Sequence, residues 1–141
     1  MHSQKTVNPV KFLEALPHGK ALGLELVDIG NGKASISLPY DVRFVGDPET
    51  GVIHGGAISA AIDTCCGSAV MCHPDVQGMT ATIDLRIDYL RSAKPGDKIT
   101  TTAECYHMTR SVAFVRAVAV DSDSKTPVAT ATGTFMVGKS K

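Results

Sequence analysis

The chain contains 141 residues, and its 14 basic and 14 acidic side chains give a formal net charge of zero at pH 7. This length predicts one domain over residues 1–141 with its own hydrophobic core, and residues 1–6 are expected to be flexible. The balanced charge and the short apolar runs argue against a nucleic-acid partner and against a membrane partner. Because residues 1–6 also lack the apolar segment of a signal peptide, a cytoplasmic location is expected.

The first half of the chain predicts two short strands and two helices. The strands are joined by Gly30-Asn31-Gly32, which is typical of a hairpin, and Pro74 ends the second helix. In chain order the predicted elements are a helix over residues 7–16 that ends at Pro17, strands over 22–29 and 33–38, a loop over 39–50 and a long helix over 55–72.

The second half of the chain changes to the period of two that is typical of strands. Short turns separate the segments, so the strands are expected to pair antiparallel around the long helix in an α+β fold. Strands are predicted over residues 80–90, 98–108, 112–121 and 127–137. In the first of them, one face is expected to carry Ala81, Ile83, Leu85, Ile87 and Tyr89, and the opposite face Thr82, Asp84, Arg86 and Asp88.

The start of the long helix is the most informative part of the sequence. Gly55 and Gly56 form a glycine-rich turn, and a helix that begins there exposes backbone N–H groups, which stabilise negative charge. Asp63 follows in the same apolar helix, with no Lys or Arg three or four residues away to pair with it. A carboxylate in such a setting costs free energy unless it is paired or used, so Asp63 is interpreted as a catalytic group.

The spacing of these two features predicts a site shared by two chains. Gly55 and Asp63 are separated by roughly 12 Å along an α-helix. One small substrate group cannot contact both on the same chain, whereas two antiparallel helices would place each Asp63 near the partner's Gly55. A two-fold homodimer with composite sites is therefore expected, and a dimer of such dimers is left open.

The cysteines allow two interpretations. A metal site of Cys65, Cys66, Cys72 and His73 would need spacings that structural metal sites do not use. Reduced, buried thiols that pack as small apolar side chains are the favoured interpretation, and they would include Cys105.

Three segments carry a family resemblance. They are GVIHGG at residues 51–56 with Asp63 nine residues after the histidine, the strand TATIDLRIDYLR at residues 80–91, and the turn AKPGD at residues 93–97. Together they resemble the phenylacetyl-CoA type of acyl-CoA thioesterase within the hotdog-fold superfamily. The resemblance implies a hotdog fold, in which a curved antiparallel sheet wraps a long central helix.

The resemblance also implies a reaction, the hydrolysis of an acyl-CoA to a free acid and coenzyme A without a cofactor. Gly55, followed by Gly56, would present its N–H to the thioester carbonyl oxygen, and the partner chain's Asp63 would act as the nucleophile or as the base that activates water. His54 would shape the turn and contact the site. Thr82 would help to hold the water.

Substrate contacts are less specific in the sequence. Family members often carry an amide about six residues before the histidine, where this chain has Pro48, and the neighbouring Asp47 is the candidate for that role. An ionised carboxylate accepts hydrogen bonds but donates none, so the substitution is not equivalent. Arg91, Lys94 and Arg110 are candidate contacts for the phosphates of coenzyme A.

Two other functions remain open for the same fold. One is the binding of an acyl-CoA without turnover, which steady-state release of free thiol would distinguish from hydrolysis. The other is a hotdog dehydratase or hydratase, although the D-x-N-P-x-H and H-F-P motifs of those enzymes are not in this sequence. The acyl group itself is left open among aryl-acetyl, short-chain and medium-chain thioesters.

Overall fold

A six-stranded antiparallel sheet and one long helix dominate the computed structural model, which describes residues 8–138. The helices are α1 (Pro9–Ala15), α2 (Pro17–Leu22) and α3 (Gly55–Met71), and the strands are β1 (Glu25–Gly30), β2 (Lys33–Leu38), β3 (Val45–Asp47), β4 (Val52–Ile53), β5 (Thr80–Tyr89), β6 (Ile99–Met108), β7 (Val112–Val120) and β8 (Ala129–Val137). The sheet order is β1-β2-β6-β7-β8-β5, and β3 pairs with β4 in a separate ribbon. The predicted α+β architecture and antiparallel pairing are confirmed, while the flexibility expected for residues 1–6 concerns a segment outside the described residues.

The core lies between α3 and the inner face of the sheet. That face is lined largely by small side chains, which allow the helix backbone to approach the strands closely. Its buried alanines are Ala34, Ala103, Ala113, Ala117, Ala119, Ala129 and Ala131. Phe135, which is 1% exposed, is the largest fully buried side chain there.

The N-terminal segment forms two helices where one was predicted. Asn8 caps α1 by accepting hydrogen bonds from the backbone N–H groups of Val10 and Lys11. α1 ends at Ala15, just before Pro17, as predicted. Pro17 also begins α2, where the N–H that a proline lacks would have no partner within the helix. Gly23 then ends α2 in the left-handed conformation, with φ of 68°. The strand β1 therefore begins at Glu25, and the predicted start at residue 22 is wrong because that residue belongs to α2.

Residues 39–50 are more ordered than the predicted loop. They contain a short 3-10 turn at Val42–Phe44 and the strand β3, which pairs antiparallel with β4. Gly46 is required in β3, because a Cβ atom there would lie 2.9 Å from the Cα of His54. The ribbon therefore holds the segment that leads directly into α3.

A β-bulge in β5 changes which of its side chains face the helix. The pairing of β5 with β8 shifts register between Thr82 and Asp84. Gly133 pairs with Leu85 next to the bulge, and a Cβ atom on Gly133 would come within 2.9 Å of the Asp84 carbonyl oxygen. Thr82 therefore pairs with buried Phe135 and shares the inner face with Leu85, while Ile83 is 59% exposed. The strict alternation predicted for this strand, with Thr82 opposite Leu85, is wrong.

The thiols of α3 lie in the core. Cys65 and Cys66 are buried and free, and burial raises the pKa of Cys65 to about 12. Burial also raises the pKa of Cys66. Within residues 8–138, no three His, Cys, Asp or Glu side chains are grouped so that they could hold a metal ion. No helix in the described part of the chain is long and apolar enough to cross a membrane.

Candidate active site

His54 caps the N-terminus of α3. Its Nδ1 accepts a hydrogen bond from the backbone N–H of Gly56 at 2.8 Å. A ring nitrogen that accepts must carry a lone pair, so the neutral ring holds its proton on Nε2. A Cβ atom on Gly56 would lie 2.9 Å from Nδ1, which explains the glycine. The N–H of Gly56, predicted as part of the catalytic turn, is therefore engaged by His54.

Tyr89 holds the same peptide group from its other end. Its hydroxyl donates to the carbonyl oxygen of Gly55 at 2.8 Å, and that carbonyl belongs to the peptide unit whose N–H bonds His54. The peptide is thus fixed at both polar atoms. The backbone N–H of Gly55 itself meets no acceptor among residues 8–138, so it is the donor that the helix start leaves available.

Tyr89 was missed as a site residue by sequence reasoning, which assigned it only to an apolar strand face. Its ring lies against Gly55, where an added Cβ atom would come within 3.3 Å of Cζ. A tyrosine near the end of a long strand that follows a glycine-rich helix start is the signal that was present in the sequence. The pairing of the two segments, however, is determined only by the fold.

Asp63 and Thr82 meet across the gap between α3 and β5. The hydroxyl of Thr82 donates to Oδ1 of Asp63 at 2.7 Å. Asp63 is half-buried, and its Oδ2 has no hydrogen-bond partner in the described part of the chain. The bulge in β5 is what turns Thr82 toward the helix, because unbroken alternation would not place it with Leu85 on the inner face.

Gly55 and Asp63 line two separate clefts of one chain. The N-terminal cleft has a volume of about 370 Å³ and is lined by Gly55, Ile58, Tyr89 and Arg91, among others. The mid-helix cleft has a volume of about 170 Å³ and contains both Asp63 and Thr82. The structure therefore brings Asp63 together with Thr82, and Gly55 together with His54 and Tyr89, but it does not bring these two groups together within one chain.

Asp47 is engaged in a turn of its own. Its carboxylate accepts hydrogen bonds from the Thr50 hydroxyl at 2.8 Å and from the Glu49 backbone N–H at 3.0 Å. These bonds, with the Thr50 hydroxyl first, lower the pKa of Asp47 below its ordinary value. Both oxygens thus support the turn before β4, and this geometry favours a structural role over the predicted substrate contact.

Arg91 is also engaged within the chain. Its guanidinium forms two hydrogen bonds of 2.7 Å with the carboxylate of Asp121, which is 1% exposed. It donates as well to the carbonyl oxygens of Ser92 and Thr126. The ion pair with Arg91 holds the pKa of Asp121 well below its usual range. Because the N–H donors of Arg91 already form hydrogen bonds within the chain, this geometry favours a structural role for Arg91 over the predicted phosphate contact.

Lys94 and Arg110 differ from Arg91. Both side chains are exposed, and neither forms a salt bridge with any residue that the structure describes. Lys94 directly follows Ala93, which lines the N-terminal cleft. Arg110 lies in the turn between β6 and β7 and lines neither cleft. Of the three predicted phosphate contacts, Lys94 is the one that is exposed, forms no salt bridge with the described residues and adjoins in sequence a residue of the N-terminal cleft.

Comparison with known proteins agrees with this architecture. Residues 50–128, more than half of the chain, match the family model described as "Thioesterase superfamily". The medium/long-chain acyl-CoA thioesterase YigI of Escherichia coli K12 is 31% identical over 140 residues, covering 90% of this chain and 89% of that protein. The acyl-coenzyme A thioesterase PaaI of the same organism is 27% identical over 108 residues, covering 76% and 73%.

A solved structure of a Pseudomonas aeruginosa protein superposes with a TM-score of 0.82 at 38% identity, covering 92% of this chain and 96% of that one. The fold and the sequence match together define a hotdog-fold protein. The chain belongs to the thioesterase superfamily, which confirms the resemblance stated from residues 51–97. The similarity to YigI and PaaI also confirms the expected class of enzyme, a thioester hydrolase.

Proposed function

We propose that the protein hydrolyses an acyl-CoA to a free acid and coenzyme A in a site built by two chains. The observation that carries this proposal is the separation of the two halves of the chemistry along α3. The free N–H of Gly55 lies at one cleft, and Asp63 with its Thr82 partner lines another. A thioester needs a hydrogen-bond donor at its carbonyl oxygen and a nucleophile at its carbonyl carbon at the same time.

The arrangement of β5 supports a two-fold homodimer. This strand of ten residues forms one edge of the sheet, and it carries the exposed side chain of Ile83. The unpaired backbone groups of a long edge strand are a template for pairing with a strand of another chain. Antiparallel pairing of β5 with the β5 of a second copy would set the two α3 helices side by side. Each Asp63 would then approach the partner's Gly55.

In this site the N–H of Gly55 donates to the thioester oxygen and stabilises the negative charge that grows there. Asp63 of the partner chain either attacks the carbonyl carbon or removes a proton from a water that attacks it. The new carbon–oxygen bond forms, the carbon–sulfur bond then breaks, and coenzyme A leaves as a thiolate that takes up a proton. Thr82 fixes the orientation of the Asp63 carboxylate, and Lys94 faces the coenzyme A phosphates at the surface.

The activity is tested by measuring thiol release from a panel of acyl-CoAs that includes aryl-acetyl, short-chain and medium-chain thioesters. Steady-state release over many turnovers is expected for at least one member of the panel. Binding of every acyl-CoA without release of thiol would show a binding protein instead. Turnover in ¹⁸O-labelled water tests for direct attack. Label in the Asp63 side chain would show that Asp63 forms a mixed anhydride that water opens at the Asp63 carbonyl, whereas label only in the free acid is expected for activated water or for opening of the anhydride at its acyl carbon.

The shared site is tested with two inactive variants. Gly55→Pro removes the proposed donor, and proline suits the first position of a helix that follows an extended residue such as His54. Gly55→Ala is the matched control, because it adds the same Cβ atom beside Tyr89 but keeps the N–H. Co-refolding Gly55→Pro with Asp63→Ala chains should restore about a quarter of the wild-type activity, because half of the dimers then contain one intact site. Heterodimers that form but stay inactive would show that each chain builds its own site.

A further inference from the structure

We infer that the mid-helix cleft holds the acyl chain of the substrate and that Gly67 sets the length of chain it accepts. This inference rests on the proposed function, because it assigns the acyl portion of the same site. The cleft begins at Asp63, the residue proposed to act on the thioester carbonyl, and runs away from Gly55 toward the C-terminal end of α3. A substrate whose carbonyl lies at Asp63 would therefore extend its acyl chain into this space.

Three residues of one helix face form the length of the cleft. Asp63, Gly67 and Met71 are spaced four residues apart, so they lie one above another on α3, and all three line the cleft. From Asp63 to Met71 the helix rises by roughly 12 Å. The face thus presents a carboxylate at one end, an open position in the middle and a flexible apolar side chain at the far end.

The walls of the cleft suit an alkyl chain. Phe12 and Leu16 of the N-terminal segment cover it, and Phe135 of β8 lies on the sheet side. Large apolar side chains on both sides give an alkyl chain a place to leave water. The short helix α1, which carries Phe12, is therefore part of the cleft rather than a separate appendage.

Most hydroxyl groups that line the cleft already donate hydrogen bonds within the chain. Ser68 donates to the carbonyl oxygen of Thr64 at 2.8 Å, and Thr80 donates to that of Met136 at 2.7 Å. Thr82 donates to Asp63. A pantetheine arm carries amide groups that need hydrogen-bond partners when they are buried, and these walls offer few. The acyl chain is the part of the substrate that the cleft fits.

Gly67 keeps the middle of the cleft open. A Cβ atom at this position would meet Phe135 and Thr80 at 3.9 Å, which is ordinary van der Waals contact. Neither the packing nor the helical backbone therefore requires glycine, and glycine is less favourable than alanine within a helix. The absence of a side chain is explained if the space above Gly67 is occupied by substrate.

Binding of S-alkyl-CoA thioethers tests the inference without turnover, since a thioether has no carbonyl to hydrolyse. Affinities of ethyl-CoA and octyl-CoA are measured for wild type, Gly67→Ala and Gly67→Leu. The octyl-over-ethyl affinity ratio should fall at least about tenfold in Gly67→Leu, because its side chain fills the cleft, and should change by less than about threefold in Gly67→Ala. An octyl-over-ethyl affinity ratio that is unchanged in Gly67→Leu would overturn the inference, whether both affinities stay the same or both fall equally.

Met71→Ala gives the opposite test and decides the question if circular dichroism shows that Gly67→Leu does not fold. Opening the far end should raise the dodecyl-over-octyl affinity ratio by about fivefold or more. A ratio that stays at the wild-type value would mean that the alkyl chain lies elsewhere.

Thiol release by the wild-type enzyme keeps the two proposals apart. If acyl-CoAs are not hydrolysed but the alkyl ratios shift as expected, hydrolysis fails and the acyl cleft stands; if they are hydrolysed and the ratios do not shift, only the cleft assignment fails.

Discussion

The two clefts along α3 differ in how their polar groups are arranged. At the N-terminal cleft, the proposed catalytic group belongs to the backbone. The side chains of His54 and Tyr89 fix the peptide between Gly55 and Gly56 and leave the Gly55 N–H without an acceptor among residues 8–138. At the mid-helix cleft, the proposed catalytic group is a side chain, and the hydrogen bond from Thr82 leaves one oxygen of Asp63 without a partner among residues 8–138. In the proposed mechanism, the first cleft stabilises negative charge and the second attacks the carbonyl carbon or takes up a proton.

Under the proposed mechanism, this contrast makes one chain half of an enzyme. Within one chain, the Gly55 N–H and the Asp63 carboxylate are each held in place but line different clefts. Preorganised polar groups lower a barrier only when they act on the same group of substrate atoms. Variants that remove one group while sparing the other cleft test this division directly.

Asp63→Asn should have the largest effect. The amide keeps the shape of the carboxylate and can still accept the Thr82 hydrogen bond, but it can neither attack a carbonyl nor take up a proton. Turnover of acyl-CoA is expected to fall at least about 10³-fold. The measurement is steady-state thiol release, with the thermal midpoint as the control for folding. Turnover near the wild-type value would remove Asp63 from the mechanism.

Thr82→Ala should have the next largest effect, about 10²-fold on kcat, because the carboxylate of Asp63 then loses the hydroxyl that orients it. Thr82→Ser restores the hydroxyl and should recover most of the rate, which a general loss of packing would not allow. Rates of Thr82→Ala within twofold of wild type at equal thermal stability would show that the hydrogen bond is only structural.

Tyr89→Phe tests the other cleft and should lower kcat by roughly tenfold with little change in KM. The ring stays in place beside Gly55, but the hydrogen bond to the Gly55 carbonyl oxygen is lost, so the peptide that orients the donor is less fixed. Tyr106→Phe is the matched control, since Tyr106 stacks on Arg116 elsewhere in the sheet. A raised KM with an unchanged kcat would instead make Tyr89 a substrate-binding residue.

Arg91→Ala should have the smallest effect on catalysis, with KM for acyl-CoA within about twofold of wild type, whereas Lys94→Ala should raise KM severalfold. The Arg91 variant should instead lose stability, by roughly 5 °C or more in thermal midpoint at pH 7, because Asp121 is left buried without its partner.

The pH dependence of that loss is set by the lowered pKa of Asp121. A carboxyl whose pKa is lower in the folded chain than its ordinary value of 3.8 stabilises the fold above that pH, and the contribution is lost as the pH falls. The difference in midpoint between wild type and Arg91→Ala should therefore be constant above about pH 5 and should shrink below about pH 4. A difference that grows in acid would contradict the ion pair as its source.

Local patterns in the sequence were sufficient to predict the long helix, because Gly55 and the apolar run that follows it determine its start within one segment. The four strands after it were also predicted to within one or two residues at each end, since their alternation and their turns are local signals. The first helix ends just before Pro17, as predicted, but the second helix was missed because a proline can end one helix and also begin another, and the residues after it decide whether a new helix follows.

The site was predicted less completely, because several of its contacts join distant segments. The bulge that turns Thr82 inward depends on Gly133 in another strand, some 50 residues later. The engagement of Arg91 depends on Asp121, and nothing near Arg91 in the sequence signals a buried partner. Residue type and spacing made Asp63, Gly55 and Thr82 candidates for the site, but which of the charged side chains are free of internal partners could be read only from the packed structure.

The place of β5 in the sheet has a consequence for how the protein is made. β5 is synthesised directly after α3, yet its neighbour in the sheet is β8, the last strand of the sheet to be made. A nascent chain that has not yet released β8 from the ribosome therefore has no strand on which to align β5, and Thr82 and Tyr89 cannot be set against α3. Both clefts are completed late in synthesis, so a product that ends before residue 129 would carry every predicted catalytic residue and no assembled site.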